Sequence, residues 1–398
     1  MKTTSVPRRG LAALLTIAAT ALAAIAPPVA ANAADPAVSS VLTAPNFRFK
    51  LSNTPASLIS GLDAALPNVT MQAVVDSGNR TGVACSAPAQ HRVASFCWNS
   101  GDAGTGEWMP QGITTSADAL GAGTYEDRRV LMASWYSTAS TGLDKGVRIS
   151  VVDLSNPSAP AYRHILLVAP ATIGGQPSFN PVRVHAGGLA WYGNLLYVVD
   201  TYNGLRVFDL NHLWQVTTGD ESKIGRQADG TYHAYNYAYV LPQTAAYAHS
   251  TEGGYAKLRF SAVSLDRTST PDSLVIAEYA SPGTGTRLAR VPIDYTDRLL
   301  VTGSDGYARA NEAHLVNFTS MQGATAINGT FHVSTSDGTG NAGDRIKWKP
   351  PAGAVDIATD TLPIGPEDVS YDGPRDMLWS LSEYAGKRYV WASRASSL

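Results

Sequence analysis

Charge is scarce in this chain. Acidic and basic residues make up 16% of its 398 residues, 32 acids against 30 bases, and no block of like sign occurs. The basic stripe that marks nucleic-acid or anionic-membrane partners is missing, so neither is expected. Cysteine is scarcer still, with only Cys85 and Cys97. Two ligands make a poor zinc site, and a pair twelve apart in an exported chain reads as one disulfide. The eight histidines show no H-x-H or H-x-x-x-H spacing, which also disfavours zinc. There is no G-x-S-x-G elbow, no Walker loop and no Rossmann glycine run in a strand-to-helix setting. A presented serine nucleophile and a bound nucleotide are therefore not expected. No segment keeps a 3.6-residue apolar period.

What is present begins with the leader. Lys2, Arg8 and Arg9 precede an uncharged Ala/Leu-rich stretch from Leu11 to Ala26, closed by Pro27-Pro28. Ala31-Asn32-Ala33 offers the small-x-small pattern of signal-peptidase cleavage, so residues 1–33 are expected to be a signal peptide. The apolar stretch falls short of the ~20 residues that span a bilayer, and no later run approaches that length. Arg8-Arg9 partly resembles a twin-arginine signal, but the Sec route is expected. Without the leader the charge balance becomes more acidic, because the leader carries three bases and no acid. The chain is expected to be secreted, extracellular and monomeric.

Glycine is abundant at 36 and tyrosine at 18, a balance that suits many short strands joined by turns. A repeat organises them. Gly365–Tyr371, Met377–Glu383 and Lys387–Trp391 form a strand, strand, turn, strand unit. The same grammar recurs at His185–Trp191, Leu195–Asp200 and Leu205–Asp209, and at Met321–Ile327, Thr330–Ser334 and Asp344–Trp348. It recurs again at Met109–Ile113, Val130–Tyr136 and Gly146–Ser150, and at Arg259–Val263, Ser273–Glu278 and Thr286–Arg290. The third strands align on Arg148, Arg206, Arg287, Arg345 and Arg388. Fourth strands are expected near Tyr162–Val168, Tyr235–Val240, Ala313–Phe318 and Val355–Ala358. The last copy lacks one, and Phe47–Leu51 is expected to complete it and close the ring.

Gly188-Leu-Ala-Trp191 through Arg206-Val-Phe-Asp209, and Pro366-Glu-Asp through Val390, resemble blades of secreted bacterial β-propellers. The resemblance concerns architecture and no single family, so it leaves function open. It implies an all-β, five-bladed propeller, with six or seven blades as the alternative if residues 35–107 and 215–258 hide more. The division expected is residues 1–33 as leader, 34–107 as an N-terminal extension with the ring-closing strand and disulfide, and 108–398 as propeller.

In a propeller the ligand face is the mouth of the axial channel, built from the starts of inner strands and the turns between second and third strands. The inner-strand starts supply Trp108, Gln111, His185, Gln322, Glu367 and Asp368. The turns supply Trp135 and Tyr136, then Asp200, Tyr202 and Asn203, then Glu278 and Tyr279, then Ser336 and Asp337, then Glu383 and Tyr384. Aromatic faces beside carboxylates and amides suit a polyhydroxylated ligand, since sugar C–H faces stack on rings while hydroxyls take hydrogen bonds. An extracellular glycan is the expected ligand, and Glu367, Glu383 and His185 are the candidate catalytic groups of a carbohydrate-active hydrolase or lyase. The alternative is a non-catalytic extracellular interaction or developmental signalling protein with a protein partner. No cofactor is expected, although the pattern allows an axial calcium on Glu367 or Asp368.

Overall fold

The computed structural model of the chain describes residues 40–280, 286–351 and 355–398. Residues 1–33, expected from the sequence to be a signal peptide, lie outside the described residues. Alternating apolar strands and tight turns give an almost entirely antiparallel, all-β molecule, and its sheets radiate as in a β-propeller. Five inner strands stand around the axis: Trp108–Thr115, Leu189–Tyr192, Phe260–Asp266, Met321–Ile327 and Pro366–Asp372. Each touches the next in this order, and the last returns to the first. Each is followed by second and third antiparallel strands, so the units are numbered one to five here by their inner strands.

The fourth strands show how the ring is sealed. Units one, three and four end in Ala161–Ile173, Glu312–Val316 and Asp356–Ile364, close to expectation. In unit two the fourth strand is Tyr239–Thr251, later than the expected Tyr235–Val240, because Tyr235 and Asn236 turn the chain with positive φ. The start of this strand also pairs in parallel with Leu166–Val168, joining units one and two into one continuous sheet.

Unit five is completed by Arg92–Cys97 against Tyr389–Arg394. An N-terminal strand thus closes the ring, but it is not Phe47–Leu51. That segment belongs to Phe47–Asn53, which adds to the outer edge of unit two beside Tyr239–Thr251. Phe47 and Phe49 are fully buried there, packed on His249 and Phe260, and this apolar pocket decides the strand's place. The Cys85–Cys97 disulfide forms as expected, with Cα atoms 5.7 Å apart, at the end of the closing strand. Helices Ala56–Ala65 and Met71–Asp76 bury Leu62 and Val74 against the outside of the ring. Among the described residues none of these helices is long and apolar enough to cross a membrane.

The channel itself is narrow, because glycine brings inner strands into backbone contact. A Cβ on Gly188 would stand 2.2 Å from the backbone nitrogen of Val263, and one on Gly323 2.8 Å from Cα of Asp368. Hydroxyls then cross between units. Ser134 donates to the Ala186 carbonyl at 2.7 Å, and Ser334 to the Glu367 carbonyl at 2.7 Å. These bonds satisfy buried inner-strand groups that no ladder reaches.

Candidate functional site

The expected mouth residues divide into three groups. Two tryptophans are core. Trp135 is fully buried, its Nε1 donating to Ser150 Oγ at 2.8 Å, and Trp108 is buried under the Arg148 guanidinium. Neither presents a face to the axis, because unit one uses them to fill the space between its sheet and the ring-closing segment. Two acids are structural: Asp200 pairs with Arg206 at 2.7 Å, and Glu278 pairs with Arg287. Asn203 is spent on the same turn, donating to Asp200 Oδ1. The recurring acid at the second-strand end is thus answered, in units two and three, by the recurring arginine of the third strand.

Unit five breaks that rule. Arg388, five residues after Glu383, donates through Nε to the backbone carbonyl of Glu383 at 2.7 Å and through Nη1 to the carbonyl of Asp102 at 2.7 Å. The Glu383 carboxyl is left to the mouth. It accepts from Gln111 Nε2 at 3.1 Å, with the Glu367 carboxyl and Tyr384 as its neighbours. Glu383 reaches this place because Gly365, at φ +65°, accepts from its backbone N–H while making room for the Tyr384 ring.

Glu367 and Asp368 follow on the inner strand and are almost wholly buried, at 1% and 0% exposure. Burial and the neighbouring Glu383 and Asp368 charges push the Glu367 carboxyl well above its ordinary range. Burial also raises Glu383. Two neighbouring buried carboxyls cannot both ionise cheaply, so this placement favours the protonated form of one of them. Asp368 lies deeper, its Oδ2 accepting from the backbone N–H groups of Ile113 at 3.1 Å and Leu189 at 3.0 Å. Beyond it Asp118, pushed up to about 6 chiefly by burial, accepts from Thr114 and Ser370 at the far end of the axis. Acids and hydroxyls thus bond between the inner strands along the axis.

His185 lies in the loop before its inner strand, exposed at the mouth, and its ring centroid is 4.5 Å from that of Tyr136. Its desolvating surroundings and then the Arg259 charge lower its pKa from the ordinary value, which favours the neutral imidazole. The adjacent Gly187-Gly188 pair serves backbone packing against unit three, with Gly187 Cβ space taken by the Ser261 carbonyl. Gln322 accepts from Ser261 Oγ at 3.2 Å. Tyr202 is exposed, and Tyr279 is half-buried.

Sequence reasoning passed over Arg259, which stands at the start of the third inner strand between the Tyr202 and Tyr279 rings, 5.8 and 5.1 Å from their centroids. Among the described residues its guanidinium has no carboxylate partner. The rule that picked Glu367 and Gln111 from the other inner strands would have found it if applied to unit three. Among the described residues no group of three or more His, Cys, Asp or Glu side chains is placed to hold a metal ion.

No family model matches the chain, and no curated protein does. Solved structures align over most of it. Glutaminyl cyclase from Myxococcus xanthus is 10% identical, covering 76% of this chain and 94% of its own, with a TM-score of 0.35. A GH43_1 enzyme from Xanthomonas citri complexed with xylose is 8% identical, covering 81% and 91%, at 0.33. The β-propeller domain of Cps50 (Swd1) from Myceliophteria thermophila is 8% identical, covering 65% and 92%, at 0.31. These are distant likenesses of architecture, and at such TM-scores they carry no argument about chemistry.

Proposed function

We propose that the axial mouth binds an extracellular glycan and acts on it by proton transfer. The observation that carries this reading is the Glu367–Glu383 pair. Of the three equivalent turn acids, only Glu383 is released from its arginine and turned toward the axis. A carboxyl pair holding a proton beside Gln111 and Tyr384, facing the His185–Tyr136 pair, is an acid on one side of the mouth and a base on the other. The phenol faces of Tyr136, Tyr202, Tyr279 and Tyr384 offer stacking surfaces for sugar rings. The disulfide and the leader pattern suit work outside the cell.

Elimination suits this set of groups, since it needs one base, one acid and a cation for the substrate carboxylate rather than two facing carboxylates. His185 or Tyr136 removes the proton beside a sugar carboxylate, and the C–H electron pair forms the new C=C bond. The neighbouring C–O bond breaks, and the leaving oxygen takes the proton held by Glu367 and Glu383. Arg259 would pair with the sugar carboxylate, as elimination requires.

An array of plant and microbial polysaccharides, scored for binding and for release of unsaturated products, tests this. Products from acidic glycans that vanish in Glu383→Gln support it. Binding without products would leave a lectin. If no polysaccharide binds and none yields products, the glycan reading is overturned in favour of an interaction protein.

A further inference from the structure

A second polar cleft, of about 440 Å³, opens on the flank of the ring between the ring-closing segment, the outer part of unit one and the turn at Tyr235–Tyr237. Its volume falls within the range of small-molecule sites, about 300–1,000 Å³. Its floor is Asp102, at 5% exposure. Asp102 Oδ1 accepts from Arg148 at 2.8 Å, and Oδ2 accepts from Tyr162 at 2.7 Å and His164 Nε2 at 3.1 Å. Arg80 stands 3.3 Å from the same oxygen. Ser150, His164 and Asp102 form a hydrogen-bonded line. Ser150 and His164 are buried, however, and the Trp135 N–H occupies Ser150 Oγ, so this line is scaffolding and not a presented nucleophile.

The charge balance of this floor is uneven. Arg148 and Arg388 are buried, at 4% and 2% exposure, and both stack on the Trp135 ring. Arg80 adds a third guanidinium, and Asp102 is the carboxylate that answers them. Arg388 meets only the backbone carbonyls of Glu383 and Asp102 and the sulfur of Met109 among the described residues. Arg148 Nε has no hydrogen-bond partner there. Higher up the walls, Arg163 is half-buried and bonded to the Ser77 carbonyl, while Lys145 is neutralised by Glu107 at 2.9 Å and Glu221 sits on the wall as a third acid. A buried surplus of positive charge is costly unless an anion answers it. The crowding is visible in Arg388, pushed down to about 10 by burial and then by Arg148.

We infer that this lateral cleft binds a compact oxyanion, a phosphate or sulfate carried on a sugar-sized polar molecule. Arg80, Arg148 and Arg163 would meet the anion, since guanidinium groups match tetrahedral oxyanions through paired hydrogen bonds. Asn79, Asn99, Asn236 and Tyr237 line the room left for the polar body. The site is independent of the axial mouth and of any activity there.

Calorimetry on the full chain at fixed ionic strength tests it, with inorganic phosphate, inorganic sulfate, glucose 6-phosphate, glucose 6-sulfate and glucose as probes. One saturable site is expected for the anions and none for glucose. The sugar esters should bind more tightly than the free ions, and the ester preferred tells phosphate from sulfate. Arg163→Met and Arg80→Met, both partly exposed side chains, should each weaken binding about tenfold. Circular dichroism should show both variants folded. His185→Ala should leave it unchanged. The inference is overturned if no anion saturates at fixed ionic strength, if both arginine variants bind like the parent, or if His185→Ala removes the site.

Discussion

At the axial mouth carboxyl groups stand in excess, and in the lateral cleft guanidinium groups do. The molecule handles the two surpluses differently. Burial and mutual repulsion raise Glu367 and Glu383 toward their neutral forms, an exit open to buried carboxyls. Arg148 and Arg388 have no such exit, because guanidinium stays charged at any relevant pH. They are stabilised by Trp135, by carbonyl groups and by one ionised acid, Asp102. The His164 hydrogen bond and the Arg148 charge outweigh burial and hold Asp102 well below the ordinary carboxylate range. One surplus is a proton reservoir and the other a fixed field. Arg388 touches both, through the carbonyls of Glu383 and Asp102.

The largest effect should come from removing the buried acid on the floor of the cleft. Asp102→Ala leaves Arg148 and Arg80 without their carboxylate, and a loss of about 3–5 kcal/mol is expected in urea unfolding. A loss below about 1 kcal/mol would mean that solvent already screens these arginines. At the mouth, Glu383→Gln should slow product release from any acidic glycan that is cleaved by at least about a hundredfold while binding persists. Glu278→Gln, which touches a structural ion pair, should not slow it.

The disulfide sharpens the contrast, since Cys97 ends the strand that leads into Trp98 and Asp102. Replacing both cysteines by serine should cost about 3 kcal/mol. Hydrogen exchange should show loosening at the lateral cleft before the axial mouth. The smallest effect concerns pH. Asp118 titrates at about 6 in the folded state, above its ordinary 3.8, so its ionisation opposes folding. Stability from this group is therefore greatest below about pH 4 and declines as pH rises through about 6. Against Asp118→Asn, which cannot ionise, the parent should lose up to about 3 kcal/mol between pH 4 and pH 8. Parallel stability curves for the two proteins would contradict the buried placement of this acid.

The propeller was legible because its evidence is local. Alternating strands, turn residues and a third-strand arginine recur whatever their partners. The closing strand was not: Phe47–Leu51 has the alternation of an edge strand, Arg92–Cys97 was passed over, and only the pocket for Phe47 and Phe49 assigns the first to unit two. At the site, the rule of strand starts and turns found Glu367, Glu383, Gln111 and Tyr384 together. It gave no way to tell Glu383 from Asp200 and Glu278, since all three are followed by an arginine. The difference lies in where Arg388 points. The Asp102 cluster stayed hidden because its members come from five separate places in the chain, two of them, Arg80 and Asp102, before the first repeat. Trp135 misled for a related reason: its turn position suggested a mouth residue, while the ring-closing segment covers it.

The most direct measurement is the titration of the glutamate side-chain carboxyl carbons by NMR in a chain labelled only at glutamate, with Glu367→Gln and Glu383→Gln to assign the signals. A shared proton predicts that the Glu367 and Glu383 signals titrate together, at least one of them above the ordinary glutamate range of about 4.3. Each substitution should then move the signal of the residue that remains. If both carboxyls titrate independently near the ordinary value, no proton is held at the mouth, and the proposed acid–base site is wrong.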